Sequence, residues 1–117
     1  MSRSSRPPVA DLPVPDGFRL DENASRSFAE GGSRYVDHLY TGRADKYNVS
    51  RFYKRYMPIS RWTLTTDMFI QGRMLLDFEK EGERCRIVIE ETGVMGSSKV
   101  QAQVWSRGRV TMTASAK

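Results

Sequence analysis

The stretch MLLDFEKEGERCRIVIE, Met74 to Glu90, decides the fold, because its two halves alternate apolar and polar residues around Glu81-Gly82. With a two-residue turn at that dipeptide, every inward pair is apolar and every polar pair joins opposite charges. The pairs are Phe78 with Cys85, Leu76 with Ile87, Met74 with Ile89, Lys80 with Glu83, Glu79 with Arg84 and Asp77 with Arg86. Since a slip by one residue would turn the apolar side chains to water, the sequence predicts a β-hairpin in this register. Because Glu-Gly is less favoured than Asn-Gly in such a turn, a loop one residue longer is the alternative.

A helix is predicted upstream of this hairpin from apolar residues at positions i, i+3, i+4 and i+7. The stripe consists of Val49, Phe52, Tyr53 and Tyr56. Asp45 can cap the helix by accepting a hydrogen bond from a backbone N–H of the first turn. Pro58 lacks a backbone donor and disfavours helical geometry at Met57, so we expect the helix to end near Tyr56.

Three further segments have patterns typical of strands. YVDHLY, residues 35–40, is rich in β-forming residues and lies between glycines. From Trp62 onward the period is two, and Trp62, Leu64, Met68 and Ile70 share one parity. Residues 99–105 alternate again, with Val100, Ala102 and Val104 on the inward side. The segment GFRLDE adds a possible short edge strand.

The order of these elements is β-α-β-β-β-β, which predicts an α+β fold of two layers. One helix packs on an antiparallel sheet of about five strands, because each element has a single apolar face to bury. A chain of 117 residues is the size of one domain. We expect an extended Pro-rich arm over residues 1–26, the α+β domain over 27–105 and a basic C-terminal tail over 106–117.

Composition argues against several classes of protein. The single cysteine cannot form an internal disulfide, and one Cys with one His cannot supply a tetrahedral zinc site. No apolar run approaches the roughly 20 residues that span a bilayer. The start has no apolar segment of the kind a signal peptide requires, so the sequence as given favours a cytoplasmic location.

No catalytic constellation is visible in the sequence. Asp77 and Glu79 have basic cross-strand partners in the predicted register, so neither carboxylate stands in a cleft where its pKa would be shifted for acid-base work. His38 has no neighbouring nucleophile or metal ligand. Cys85 has the inward parity, where thiols are inert. We therefore expect no enzymatic activity and no cofactor.

The basic residues are concentrated in two parts of the chain. Residues 34–62 hold seven Lys or Arg against two Asp or Glu, and residues 93–117 hold four against none. The candidate partner-binding residues are Lys46, Arg51, Lys54, Arg55, Arg61, Trp105, Arg107 and Arg109. The helix aromatics lie on the buried stripe, so they cannot stack on bases. Trp105 has the outward parity and can stack on a base or fill a pocket of a partner.

YTG at Tyr40–Gly42, FYKRYMP at Phe52–Pro58 and a strand opening at Trp62 resemble motifs of small bacterial domains of unassigned function. Those domains have Y-x-G, a helix ending F-Y-x-x-x-M-P and a strand opening Gly-Trp, often on exported or lipid-anchored proteins. The resemblance covers residues 34 to about 90 and departs at Arg61, where the pattern has Gly. It implies an α+β fold and a setting in the bacterial cell envelope, and it supplies no catalytic residues.

These observations favour a non-catalytic protein-interaction module, an accessory or structural subunit of a larger assembly, with a protein as its partner. The alternative is a nucleic-acid-binding domain that uses the basic helix face and the tail. Binding to nucleic acid through those cations would weaken steeply as salt rises, whereas binding to a protein need not.

Overall fold

The computed structural model describes residues 1–106, which form one helix and a seven-stranded sheet. The elements are β1 (Arg19–Leu20), β2 (Arg26–Glu30), β3 (Ser33–Gly42), α1 (Lys46–Tyr56), β4 (Thr63–Ile70), β5 (Arg73–Lys80), β6 (Glu83–Glu91) and β7 (Ser98–Ser106). All neighbouring strands are antiparallel, in the order β1-β3-β7-β6-β5-β4, with β2 also paired to β3. The α+β class is confirmed. The expected number of about five strands and the order β-α-β-β-β-β are wrong, because two strands precede β3.

β1 lies within GFRLDE, which the sequence offered as a short edge strand, whereas β2 was not predicted. The two strands lie end to end along the same edge of β3. β1 pairs with Tyr40 and Thr41, and β2 pairs with residues 33–37 through a turn at Gly31-Gly32. Between them, the Asp21 N–H donates to the Leu39 carbonyl at 2.8 Å and the Leu39 N–H donates to Ser25 Oγ at 2.9 Å. Every residue of β2 is exposed. A strand without a buried face has no hydrophobic alternation, which is why its sequence did not reveal it.

The hairpin of β5 and β6 has the predicted register at every pair, from Met74 opposite Ile89 to Lys80 opposite Glu83. Glu81 and Gly82 both have positive φ, 40° and 83°, as a two-residue turn of this hand requires. The alternative of a longer loop is therefore wrong.

The helix α1 also begins and ends where the sequence predicts. Asp45 accepts a hydrogen bond from the Asn48 N–H at 2.8 Å, and a short 3₁₀ turn, Met57–Ser60, follows the last residue. Val49, Phe52 and Tyr53 are buried against the sheet, while Tyr56 is only half-buried. The helix therefore covers one face of the sheet, called here the inner face.

The N-terminal segment contributes to the core beneath this layer. Leu12 and Val14 are 0% and 2% exposed, and the Trp62 indole N–H donates to the Asp11 carbonyl at 2.8 Å. The segment doubles back on itself, since the Ser4 N–H bonds to the Val14 carbonyl. The predicted boundary between an arm and a domain at residue 26 stays a prediction. Within the predicted arm, however, Leu12 and Val14 pack into the core.

Strand β4 differs most from its predicted pattern. Its pairing with β5 shifts between Leu64 and Thr66, so that Thr65 is an extra residue in a β-bulge. Residues directly opposite each other share a face, and Leu64 therefore lies on the inner face while Met68 and Ile70 lie on the outer one. The expectation that these three share one face is wrong, because the bulge reverses the alternation.

Candidate functional site

The first basic residue of the helix, Lys46, holds two elements together. Its side chain is 14% exposed, and its ammonium lies 3.4 Å from the Gly72 carbonyl and 4.0 Å from the Glu91 carboxylate. The ammonium also lies 5.2 Å from the centre of the Phe69 ring. These contacts tie the start of α1 to the turn between β4 and β5. The Lys46 ammonium is therefore largely occupied by contacts within the chain.

The other three helix cations border a groove of about 470 Å³ that Met1 and Tyr56 also line. Lys54 is paired with Asp67 of β4 at 2.6 Å. Among residues 1–106, no carboxylate lies within ion-pair distance of Arg51 or Arg55, and Arg55 lies over the Tyr56 ring at 5.5 Å. Two exposed guanidinium groups are therefore what remains of the predicted basic helix face.

Of the remaining candidate residues, the two that the structure describes, Arg61 and Trp105, are not on that surface. Arg61 follows the 3₁₀ turn and has a left-handed backbone, with φ of 72°. Trp105 lies in β7 on the outer face of the sheet, opposite to the helix. Arg107 and Arg109 lie outside the described residues. The six candidates within residues 1–106 therefore do not form one continuous site, and the binding roles of all eight stay predictions.

Trp105 belongs instead to a row of three aromatic side chains on neighbouring strands, here called the aromatic row: Phe28, Tyr35 and Trp105. Tyr35 lies opposite Phe28 on one side and opposite Trp105 on the other, and the Phe28 and Tyr35 ring centres are 5.6 Å apart. Phe28 is 62% exposed, and the row borders a groove of about 420 Å³. The sequence identified only Trp105, because Phe28 lies in the strand that was not predicted.

Charges near the aromatic row are matched in pairs. Arg26 lies over the Tyr35 ring at 5.9 Å and 4.0 Å from the carboxylate of Asp37. Arg84, opposite Trp105, is 3.1 Å from the carboxylate of Glu79, as the sequence predicted. Around the aromatic row, the residues that the structure describes therefore present rings and ion pairs, and not an excess of unpaired cations of the kind that attracts a polyanion.

A second exposed apolar surface runs along β4 and is called here the β4 edge patch: Leu64, Met68, Phe69 and Ile70. Their exposed fractions are 37%, 42%, 55% and 48%. Strand β4 lies at one edge of the sheet, and no strand among residues 1–106 pairs with its outer side. The sequence pattern assigned Leu64, Met68 and Ile70, but not Phe69, to the inward face of a strand, because alternation alone cannot distinguish an internal strand from an edge strand.

The two groups best suited to chemistry are buried. Burial raises the pKa of the Cys85 thiol, which is 1% exposed. Burial lowers the pKa of His38 and outweighs the opposing charge of Asp37. Its Nδ1 lies 3.0 Å from the Tyr40 hydroxyl. Among residues 1–106, no three His, Cys, Asp or Glu side chains are grouped so as to hold a metal ion.

The most extensive charged cluster joins the N-terminal segment to the end of the sheet. Arg34 donates to both oxygens of Asp11 at 2.9 and 2.7 Å and to Glu83 at 2.7 and 2.8 Å. Lys80 donates to Asp11 at 2.6 Å and lies 4.5 Å from the centre of the Trp62 ring. Burial would raise the pKa of Asp11, but the hydrogen bonds from Arg34 and Lys80 lower it to about 2. The cluster therefore ties the N-terminal segment to β3, β5 and β6.

Comparison of the chain with protein-family models, curated proteins and solved structures finds no match. The resemblance of residues 34 to about 90 to small bacterial domains therefore stays a prediction. Within residues 1–106, α1 is neither long nor apolar enough to cross a membrane.

Proposed function

We propose that the chain is a non-catalytic protein-interaction module, an accessory or structural subunit of a larger assembly, and that it binds its partner through the β4 edge patch. The observation that carries this proposal is the exposure of that patch on an edge strand, one side of which has no partner strand among residues 1–106. Proteins normally protect such an edge with charges, proline or a covering element, because it would otherwise pair with other chains. Exposed apolar surface in an edge strand is therefore typical of an interface.

The chemistry of the edge indicates the kind of partner. The residues of β4 that face outward, Thr63, Thr66, Met68 and Ile70, carry no charge. The one acidic residue of the strand, Asp67, is already paired with Lys54. A protein strand with uncharged, apolar side chains fits this edge. Main-chain hydrogen bonds would supply the affinity, and the side chains would fix the register of the two strands.

Substitution within the patch tests the proposal. Phe69→Lys should weaken binding of a protein that co-purifies with the chain by about tenfold or more, because it removes an exposed apolar ring and places a second ammonium beside that of Lys46, which lies 5.2 Å from the ring centre. Phe28→Lys, at the opposite edge of the sheet, is the matched control and should leave the affinity unchanged. Calorimetry measures the affinity, and hydrogen exchange should show new protection of the amides of residues 66–70 in the complex. Equal affinity of the wild type and Phe69→Lys would contradict the proposal.

The aromatic row favours a second candidate, single-stranded nucleic acid. Bases stack on exposed rings of neighbouring strands, and Arg107 and Arg109 follow Trp105 in the sequence. This candidate ranks second because Arg26 and Arg84 are already paired with carboxylates.

Fluorescence tests this candidate directly, because the chain has two tryptophans and Trp62 is buried. A single-stranded oligonucleotide should quench Trp105, and Trp105→Ala should weaken binding about tenfold, with Trp105→Phe as the control that keeps a ring. The affinity should fall as salt rises. An affinity that is independent of both salt and Trp105 would exclude it.

A further inference from the structure

The regular part of the β4 edge is short, and this restricts how it can pair. Before Thr66 the bulge interrupts the alternation, and after Ile70 the chain turns at Gln71-Gly72, where both residues have positive φ. Between these limits, residues 66–70 lie directly opposite residues of β5. An added strand therefore finds five regular positions along the free edge.

We infer that a second copy of this chain occupies the edge, with residues 66–70 of the two copies paired antiparallel around a two-fold axis at Met68. This inference rests on the proposed function and names its partner. An antiparallel pair of identical strands satisfies two-fold symmetry by itself, because each residue meets its symmetry mate. The joined sheet would continue the antiparallel order that every strand of the molecule already has.

The register follows from the faces and the charges. Opposed residues must share a face, so an axis at Met68 pairs Thr66 with Ile70 and Asp67 with Phe69. An axis at Asp67 would set two carboxylates opposite each other, and beyond them the inner-face Leu64 would oppose the outer-face Ile70. An axis at Phe69 would run the pairing into the turn at Gln71. The axis at Met68 alone has neither fault.

Residues 66–70 carry no unpaired charge that would repel a second copy. Each Asp67 carboxylate lies 2.6 Å from its own Lys54 ammonium, so it presents a neutral pair to the Phe69 of the other copy. The outward residues Thr66, Met68 and Ile70 are uncharged. The opposite edge of the sheet is interrupted between β1 and β2 and carries Arg26 and Glu30, which protect it from the same pairing.

The predicted dimer has a defined shape and a limited strength. Because paired residues share a face, both α1 helices would lie on the same side of one continuous sheet. The axis closes the assembly at two copies and so prevents fibre growth. Five residues from each copy form an interface at the small end of the range, below about 1,200 Å² in total. We therefore expect a concentration-dependent dimer with a Kd on the order of micromolar or weaker.

Sedimentation velocity and disulfide trapping test the inference on the full chain. Wild type should shift from monomer to dimer as its concentration rises from about 1 μM to about 1 mM. Met68→Cys should form a disulfide-linked dimer on mild oxidation, because directly opposed side chains come within bonding range. Phe28→Cys, an exposed control at the other edge, should stay monomeric. Wild type, whose one cysteine is buried, sets the background.

A mixing experiment tests the register itself. Thr66→Cys and Ile70→Cys should each stay unlinked alone and should form a mixed disulfide dimer when combined, because the axis at Met68 sets these two positions opposite each other. Equal trapping of Phe28→Cys and Met68→Cys would overturn the inference, and so would a wild type that stays monomeric throughout. If the chain stays monomeric while Phe69→Lys loses a different protein partner, the inference fails and the proposed function stands.

Discussion

At the scale of single residues, Arg61 turns the chain from the helix into the sheet. Its φ of 72° lies in the left-handed region, where a side chain costs about 1 to 2 kcal/mol. In this conformation the Arg61 N–H reaches the Pro58 carbonyl at 2.9 Å, and the next residue, Trp62, enters the core. Gly adopts this left-handed conformation without that cost.

Arg61→Gly should therefore stabilise the protein. Relief of the left-handed strain is offset in part by the greater freedom of Gly in the unfolded chain, so we expect a gain of about 0.5 to 1 kcal/mol. Arg61→Ala is the matched control, because it removes the same side chain and keeps the strain. Urea unfolding measures both variants, and a gain in Arg61→Ala equal to that in Arg61→Gly would attribute the effect to the side chain.

The free energy of unfolding should decrease at acidic pH because of Asp11. Its pKa is about 2 in the folded protein and 3.8 ordinarily, so the folded state favours the ionised carboxylate. The resulting stability is complete above pH 3.8 and is lost as pH falls toward 2. The difference between the two pKa values corresponds to at most about 2 kcal/mol of stability, because Asp11 is partly exposed and solvent screens its charge.

The change to measure is the free energy of unfolding of wild type and Asp11→Asn between pH 5 and pH 2. Asp11→Asn should be less stable at pH 5, and its difference from wild type should shrink as pH falls, because the wild-type carboxylate is then protonated. Asp16→Asn is the control in the same segment. If the free energies of unfolding of wild type and Asp11→Asn differ by the same amount at every pH in this range, the contribution of Asp11 does not come from its charge.

At the scale of elements, the sequence predicted those whose signals are local. The hairpin register followed from complementary pairs that meet across one turn, and the helix followed from its stripe, its cap and Pro58. Strand β2 could not be predicted because all of its side chains are exposed, so its sequence has no hydrophobic alternation. The bulge at Thr65 could not be predicted because the charged Asp67 takes an inner position after it, which hides the reversal of the pattern. The same limit applied to the candidate site, where Trp105 was expected to face outward but its neighbours Phe28 and Tyr35 were not identified.

The N-terminal segment was expected to be an arm, and substitution of Leu12 tests how much this segment contributes to the core. Leu12→Ala should lower the free energy of unfolding by about 2 to 5 kcal/mol, because the side chain is fully buried. Val9→Ala, in the same segment but only partly buried, should cost less. Chemical denaturation checks both, and equal small losses would mean that the segment adds little to the stability of the sheet.

At the scale of the whole molecule, stability should decrease from the centre of the sheet to its edges. Strands β6 and β7 have neighbours on both sides, whereas β4 and β2 have one free edge each among the described residues. Local opening requires less free energy where fewer buried contacts are lost. The molecule should therefore open first at its two edge strands, β2 and β4.

Hydrogen exchange of dilute protein should find the slowest amides in β6 and β7 and the fastest in β2 and β4. Raising the protein concentration should slow exchange in residues 66–70 and leave β2 unchanged, because only the β4 edge is expected to pair. Protection of β2 and β4 to the same degree at high concentration would instead indicate nonspecific association.

The position of β7 also sets the order in which the fold can be completed during synthesis. The last strand of the described chain lies in the middle of the sheet, where it joins β3 to β6. Until residues 98–106 have left the ribosome, the chain holds two separate parts, β1 to β3 and β4 to β6, with the edges of β3 and β6 unpaired. Folding therefore finishes with the insertion of a terminal strand between partners made long before it, a topology of high contact order that is typical of slow folding. A chain that ends before β7 would expose both edges at once and would be prone to aggregate.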